Sequence, residues 1–221
     1  MLQIGWSALF SKESTPPICS TCEGKFKQIN GETCQLCSRP LAQIAPQYIE
    51  RGRCLDCVKW EESKEWAGTL ERNSSVVTYN DFAQEFIARY KYRGDYILAQ
   101  VLAYLMKRKL SELTFDAMVP IPLSEPRLYE RGFNQSEAII LASGYQPRRL
   151  LSRTHTEKQS KKSRSERIHL PQVFQAEVSI SDQNILLIDD IYTTGSTLRH
   201  AAKILKDAGA SSVSSLTFAR G

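Results

Sequence analysis

One stretch near the carboxyl terminus constrains the fold more than any other: Asn184 to Thr197 reads NILLIDDIYTTGST. Four apolar residues, Ile185, Leu186, Leu187 and Ile188, run straight into two acids, Asp189 and Asp190. A turn with four hydroxyls and one glycine follows, and an amphipathic helix begins directly after it. A short unbroken apolar run of this kind is a strand buried at the centre of a parallel sheet. In such sheets ligands bind beyond the carboxyl ends of the strands, where a helix N-terminus offers unpaired N–H groups to an anion.

The residue types suit a sugar phosphate. Carboxylates accept hydrogen bonds from ribose hydroxyls, and loop amides and hydroxyls take a phosphate. Thr193, Thr194, Ser196 and Thr197 supply the hydroxyls, while Gly195 lets the backbone approach an anion without a Cβ in the way. An isolated Asp-Asp could equally cap the next helix. The TTGST turn shifts the balance to a phosphate site, since charge-assisted bonds there are roughly twice as strong as neutral ones. The chain contains neither G-x-x-x-x-G-K-[ST] nor G-x-G-x-x-G, which removes the P-loop and dinucleotide folds.

The rest of the chain divides in two. All six cysteines fall before Trp66, as three Cys-x-x-Cys pairs: Cys19/Cys22, Cys34/Cys37 and Cys54/Cys57. Residues 1–66 are turn-rich and bury too little apolar surface to hold together without a metal. Residues 67–221 alternate strands with helices. Val76 to Tyr79 reads as a strand, and Asp81 to Tyr92 as a helix carrying Phe82, Phe86, Ile87 and Tyr90 at helical spacing. Gly94 ends it; Tyr96 to Leu110 is a second helix, and Phe115 to Ile121 a buried strand closed by Pro120 and Pro122. Asn134 to Ala142 is predicted helical, Ile185 to Ile188 a central strand, Ser196 to Asp207 a helix closed by Gly209, and Ser212 to Ala219 a last strand. This alternation implies a mostly parallel α/β sheet.

Apolar residues make up 42% and charged residues 24%, as in an ordinary globular protein. No apolar run approaches the roughly 18 residues of a membrane span. The opening MLQIGWSALF lacks the basic flank of a secretory signal. These features lead us to expect a cytoplasmic protein without membrane insertion. Disulfides are improbable there, so the cysteine pairs are expected to hold zinc. Cys34 and Cys37 with Cys54 and Cys57 would form one closed, structural four-thiolate site. Cys19 and Cys22 have no assigned partner; a crossed arrangement with Cys54 and Cys57 is the alternative.

The formal net charge of +5 is concentrated: between Arg148 and His169 lie eight cations against two acids. The charge wants a local anion, and the part around Thr154 to Ser165 has no periodicity and is predicted to be a mobile loop. It suits either a lid over diphosphate or a grip on a polyanionic strand. No Phe, Tyr or Trp interrupts it, so contact with single-stranded DNA would be mainly electrostatic. His155, His169 and His200 show no metal spacing with the cysteines and are expected on surfaces or loops.

Read together, these segments carry a resemblance. ILLIDDIYTTGST resembles the phosphoribosyl-diphosphate (PRPP) signature of type I phosphoribosyltransferases. With YKYRGD (Tyr90 to Asp95), VPIPL (Val119 to Leu123), ERGFNQ (Glu130 to Gln135) and the cysteine pairs, nearly the whole chain is similar to the ComF family, bacterial proteins linked to DNA uptake in natural competence. The resemblance implies a type I phosphoribosyltransferase-like sheet flanked by helices, preceded by a small zinc-ribbon module. Asp189 and Asp190 would bind ribose hydroxyls, and Thr193, Thr194, Gly195, Ser196 and Thr197 the 5-phosphate. Pro120, Ile121 and Pro122 would border the diphosphate, with Arg131, Lys158, Lys161 and Lys162 closing over it. Mg²⁺ would bridge diphosphate and sugar.

By the same resemblance, Arg131 in ERGFNQ is the anion ligand; Gly132 marks a turn, Phe133 packs, and Asn134 is an N-cap or a substrate contact. A helicase-type competence ATPase is the implied partner. Longer ComF proteins carry a further Cys-x-x-Cys upstream, which would partner Cys19 and Cys22. In 6-oxopurine transferases an acid stands three residues after the acid pair, where this chain has Thr193. Base salvage loses support from this, and both a phosphoribosyltransferase and a non-enzymatic adaptor remain open.

Overall fold

The computed structural model describes residues 16–153 and 174–221. A short helix α1 (Ser20–Glu23) opens the cysteine-rich part, followed by a two-residue hairpin of β1 (Ile49–Glu50) and β2 (Arg53–Cys54) and by α2 (Leu55–Glu62). The α/β part runs β3 (Asn73–Thr78), α3 (Asp81–Tyr92), α4 (Leu98–Ser111), β4 (Ala117–Pro120), α5 (Glu125–Arg131) and α6 (Gln135–Ala142). It continues with β5 (Leu151–Arg153), β6 (Phe174–Ala176), β7 (Asn184–Tyr192), α7 (Ser196–Asp207) and β8 (Ser212–Arg220).

Four strands form one parallel sheet in the order β3-β8-β7-β4. The side chains of β7 alternate between two cores, as the pleat requires. Leu186 and Ile188 join Met118, Leu216 and Phe218 beneath α3, α4 and α6. Ile185 and Leu187 join Ala117, Val119 and Val213 on the opposite face, with Leu198 and Leu205 of α7. That double burial explains the unbroken apolar run. Truncating a fully buried leucine such as Leu187 would cost about 2–5 kcal/mol, more than surface ion pairs supply.

The last helix spans Ser196–Asp207, the range the sequence predicts. β7 runs further than expected, because β8 stays paired with it through Asp189↔Thr217 and Tyr192↔Arg220. The acids therefore sit on rigid strand rather than on loop. α5 buries no residue and so has no apolar period to betray it. Gly132 closes α5 in the left-handed region (φ 75°), and only Phe133 and the cap Asn134 separate it from α6. His200 departs from expectation: it is buried in α7 with its ring 4.4 Å from that of Trp66. Coverage of α7 by the cysteine-rich part, invisible to a single-helix pattern, buries it. His155 and His169 lie outside the described residues, as does the predicted mobile loop. No helix among the described residues is long and apolar enough to cross a membrane.

Candidate phosphate cleft and cysteine cluster

A cleft of about 260 Å³ opens at the carboxyl ends of β4 and β7, where parallel sheets place their ligands. Asp189, Asp190, Thr193 and Thr197 line it from β7, the turn and α7, and Ile121 and Pro122 from the loop after β4. Pro120 instead borders a neighbouring, more apolar pocket with Tyr96 and Phe133. Ile121 is tied on both sides of its peptide: its N–H donates to Ile188 (3.2 Å), and its carbonyl accepts from Asn134 Nδ2 (3.0 Å).

The two acids have different surroundings. Asp190 is buried and ion-paired with Lys91 from the last turn of α3, at 2.5 Å. Asp189 Oδ1 accepts from Ser136 Oγ (3.3 Å) and from the Asp190 amide (3.0 Å). Burial, and then the charge of Asp190, push the Asp189 carboxyl up to about 7 against the opposing pull of Lys91. Two carboxylates in contact cannot both ionise cheaply, so a donor or a cation at the cleft would favour the doubly charged form.

Facing the acids are Arg127 and Arg131, one turn apart on α5, and Arg153 at the end of β5. Arg131 Nη1 donates to Gln135 Oε1 (2.7 Å), its guanidinium lies 5.5 Å from the Tyr92 ring centre, and its buried Nε has no partner among the described residues. Burial and then the charge of Arg127 lower the pKa of Arg153, while Asp189 opposes them. Like charges gathered without an anion are destabilised by one another, and a polyanion relieves that repulsion.

The turn itself is built for close approach. Gly195 has φ 81°, and a Cβ there would run into the Tyr192 ring and hydroxyl. The Ser196 amide donates to Thr194 Oγ1 (3.4 Å) as α7 begins, and α7 has no side-chain cap at its N-terminus. Asn134 caps α6 by accepting from the Glu137 amide at 3.1 Å, and Phe133 packs against Tyr90 and Tyr96. Lys158, Lys161 and Lys162 lie outside the described residues. Sequence reasoning assigned no role to Lys91, Arg127 or Ser136. Lys91 stood inside YKYRGD, and the spacing of Arg127 and Arg131 by four was the available sign of a shared helix face.

Cys34, Cys37, Cys54 and Cys57 converge with their sulfurs within 4.8 Å of one another, all buried. Cys37 and Cys54 sulfurs lie 3.7 Å apart. Tetrahedral zinc with Zn–S bonds near 2.3 Å separates its sulfurs by about 3.8 Å, so the donor set fits. The Cys54 amide donates to Cys34 Sγ at 3.3 Å. Hydrogen bonding to Cys34 and Cys37 pushes the Cys54 and Cys57 thiols up, so all four ionise together only around a cation. Cys19 and Cys22 are not part of this group, which rules out the crossed pairing.

Comparison with known proteins places the chain in a family. The phosphoribosyl transferase domain family matches residues 138–221. Competence protein ComFC of Bacillus subtilis (strain 168) is 37% identical over 222 residues, covering 98% of this chain and 90% of that protein. Competence protein ComFC of Streptococcus pneumoniae (strain ATCC BAA-255 / R6) is 35% identical, covering 97% and 92%. DNA utilization protein YhgH of Salmonella typhimurium is 27% identical, covering 89% and 87%. With a parallel sheet ending in an acid pair and a four-cysteine cluster ahead of it, the chain belongs to the ComFC family of competence proteins.

Proposed function

We propose that the cleft binds PRPP with Mg²⁺, and that the protein serves the handling of incoming single-stranded DNA during natural competence in the cytoplasm. The observation that carries the ligand is the opposition of Asp189 and Asp190 to Arg127, Arg131 and Arg153 across one small cleft. A sugar with phosphate groups at both ends needs both kinds of partner. Asp189 and Asp190 would accept from the ribose hydroxyls, and Thr193 to Thr197 would hold the 5-phosphate. Ile121 and Pro122, the arginines, and Lys158, Lys161 and Lys162 would attend the diphosphate. Mg²⁺ would be held by ligand and carboxylate oxygens, the hard donors it prefers.

Such a site supports displacement of diphosphate from the anomeric carbon, with the protein orienting the sugar and neutralising the leaving group. Thr193 stands where an acid would serve as base and lines the cleft, which favours a second reading: an adaptor that senses PRPP without turnover. In that case the module of residues 1–66 would dock a helicase-type ATPase, while residues 67–221 report the ligand. Calorimetric titration of PRPP with Mg²⁺ tests the site. Asp190→Asn, which loses the Lys91 ion pair and a ribose acceptor, should weaken binding about tenfold or more. Equal affinity in the two proteins would refute the assignment. Release of diphosphate with any acceptor separates the enzyme from the adaptor.

A further inference from the structure

The cysteine cluster and the phosphate turn are joined by side chains from three elements. Arg220, the last residue of β8, is buried, and its Nη2 donates to Cys37 Sγ at 3.4 Å. Its Nη1 donates to the carbonyls of Thr193 (3.0 Å) and Tyr192 (3.2 Å), and its guanidinium lies 4.8 Å from the Tyr192 ring centre. Trp60, three residues after Cys57 on α2, donates Nε1 to the Thr194 carbonyl at 3.1 Å. Next to it, Glu61 accepts from Arg199 Nη1 at 2.9 Å, and Arg199 is fully buried in the first turn of α7 with its guanidinium 5.2 Å from the Trp60 ring centre. Three consecutive carbonyls of the turn, Tyr192, Thr193 and Thr194, are thus all anchored by groups seated on or beside the cluster.

Peptide geometry gives these anchors a consequence. In a trans peptide the carbonyl of one residue and the N–H of the next point in opposite directions. Fixing the carbonyls of Tyr192, Thr193 and Thr194 away from the cleft therefore fixes the amides of Thr193, Thr194 and Gly195. An anion site needs amides held this way before the ligand arrives. Gly195 has no Cβ to limit its own torsions, so the turn depends on outside anchors.

The charge balance links the anchors to metal. Four thiolates around a divalent zinc carry a net negative charge, which the Arg220 guanidinium offsets while its other nitrogen grips the turn. Without metal the four sulfurs lose the ion that would hold them at one point, and the Cys37 sulfur that Arg220 grips loses its fixed place.

We propose that the metal-loaded cysteine cluster pre-organises the phosphate turn, with Arg220 and Trp60 as the positioning residues, so that metal loading sets the affinity for a phosphate ester. This rests on the phosphate-site assignment made above. Two mild variants test it: Trp60→Phe keeps a ring for Arg199 and Trp66 but lacks the Nε1 donor, and Arg220→Lys keeps the charge but lacks the fork. Both should retain wild-type zinc content. Both should bind ribose 5-phosphate about tenfold more weakly, the scale on which partners just outside a metal's ligands act. In the ligand-free proteins, amide exchange at residues 193–195 should quicken, and removal of zinc from the wild type with a chelator should quicken it in the same way.

Unchanged exchange at 193–195 in both variants overturns the proposal. So does weakened binding that appears only in step with lost zinc, because that would make Arg220 and Trp60 merely structural. Should wild-type protein fail to bind ribose 5-phosphate, the ligand assignment falls by itself. Exchange in the ligand-free proteins still decides the coupling.

Discussion

At the scale of single residues, the unequal acids make the cleft sensitive to pH. Burial and the neighbouring charge of Asp190 lift the Asp189 carboxyl from an ordinary 3.8 to about 7. The folded protein therefore holds a proton there that the unfolded chain releases. The stability this group contributes is complete below about pH 3.8 and is lost as pH rises through about 7. Ligand binding runs the other way, because a ribose hydroxyl donates to the ionised carboxylate. Affinity for PRPP should rise between about pH 6 and about pH 8, and in Asp189→Asn that component of the rise should vanish. Titrations of both proteins across this range provide the check; parallel pH profiles would mean that Asp189 does not titrate at the site. The acids, the hydroxyl turn and the four clustered cysteines were legible in the sequence because each group is local. Lys91 and Ser136 were not, since they reach the acids from α3 and α6 and only folding brings them there.

At the scale of elements, the loop after β4 owes its position to the start of α6. Asn134 does two jobs: its Oδ1 accepts from the Glu137 amide, and its Nδ2 donates to the Ile121 carbonyl. The two can be separated. Asn134→Ala loses both and should lower the unfolding free energy by about 1 kcal/mol, the usual worth of a cap. Asn134→Asp keeps the acceptor, so denaturant midpoints should stay close to wild type, yet PRPP should bind several-fold more weakly because the Ile121 carbonyl loses its tether to α6. Wild-type affinity in Asn134→Asp would show that the loop holds its place without α6. Elements with their own punctuation were the readable ones: α7 begins after Gly195 and stops before Gly209, and its bounds came out as expected. Elements that lean on partners were not. α5 buries nothing, and β5 pairs with β6 across the basic segment, with Arg153 opposite Phe174. Neither arrangement leaves a local period.

At the scale of the whole molecule, the cysteine-rich part belongs to both faces of the sheet. Phe26 packs edge-on against Phe82, Phe86 and Phe218 in one core, while the four cysteines sit in the other with Leu187 and Leu198. The chain around it also pairs with β3 through the Ile29 amide and the Lys27 carbonyl. Removing zinc should therefore be felt by the whole protein. Structural zinc contributes free energy on the order of 10 kcal/mol in small folds. Loss of even roughly 4 kcal/mol would lower the melting midpoint of a chain this size by about 10 °C. Tryptophan fluorescence reports largely on Trp60 and Trp66, beside the cluster, and far-ultraviolet dichroism on the helices of the α/β part. With zinc bound, the two melting curves should coincide, and after chelation both should move down together. An early fluorescence transition that leaves the dichroism curve in place would show instead that the cluster melts as an independent unit, despite the contacts that cross between the two parts.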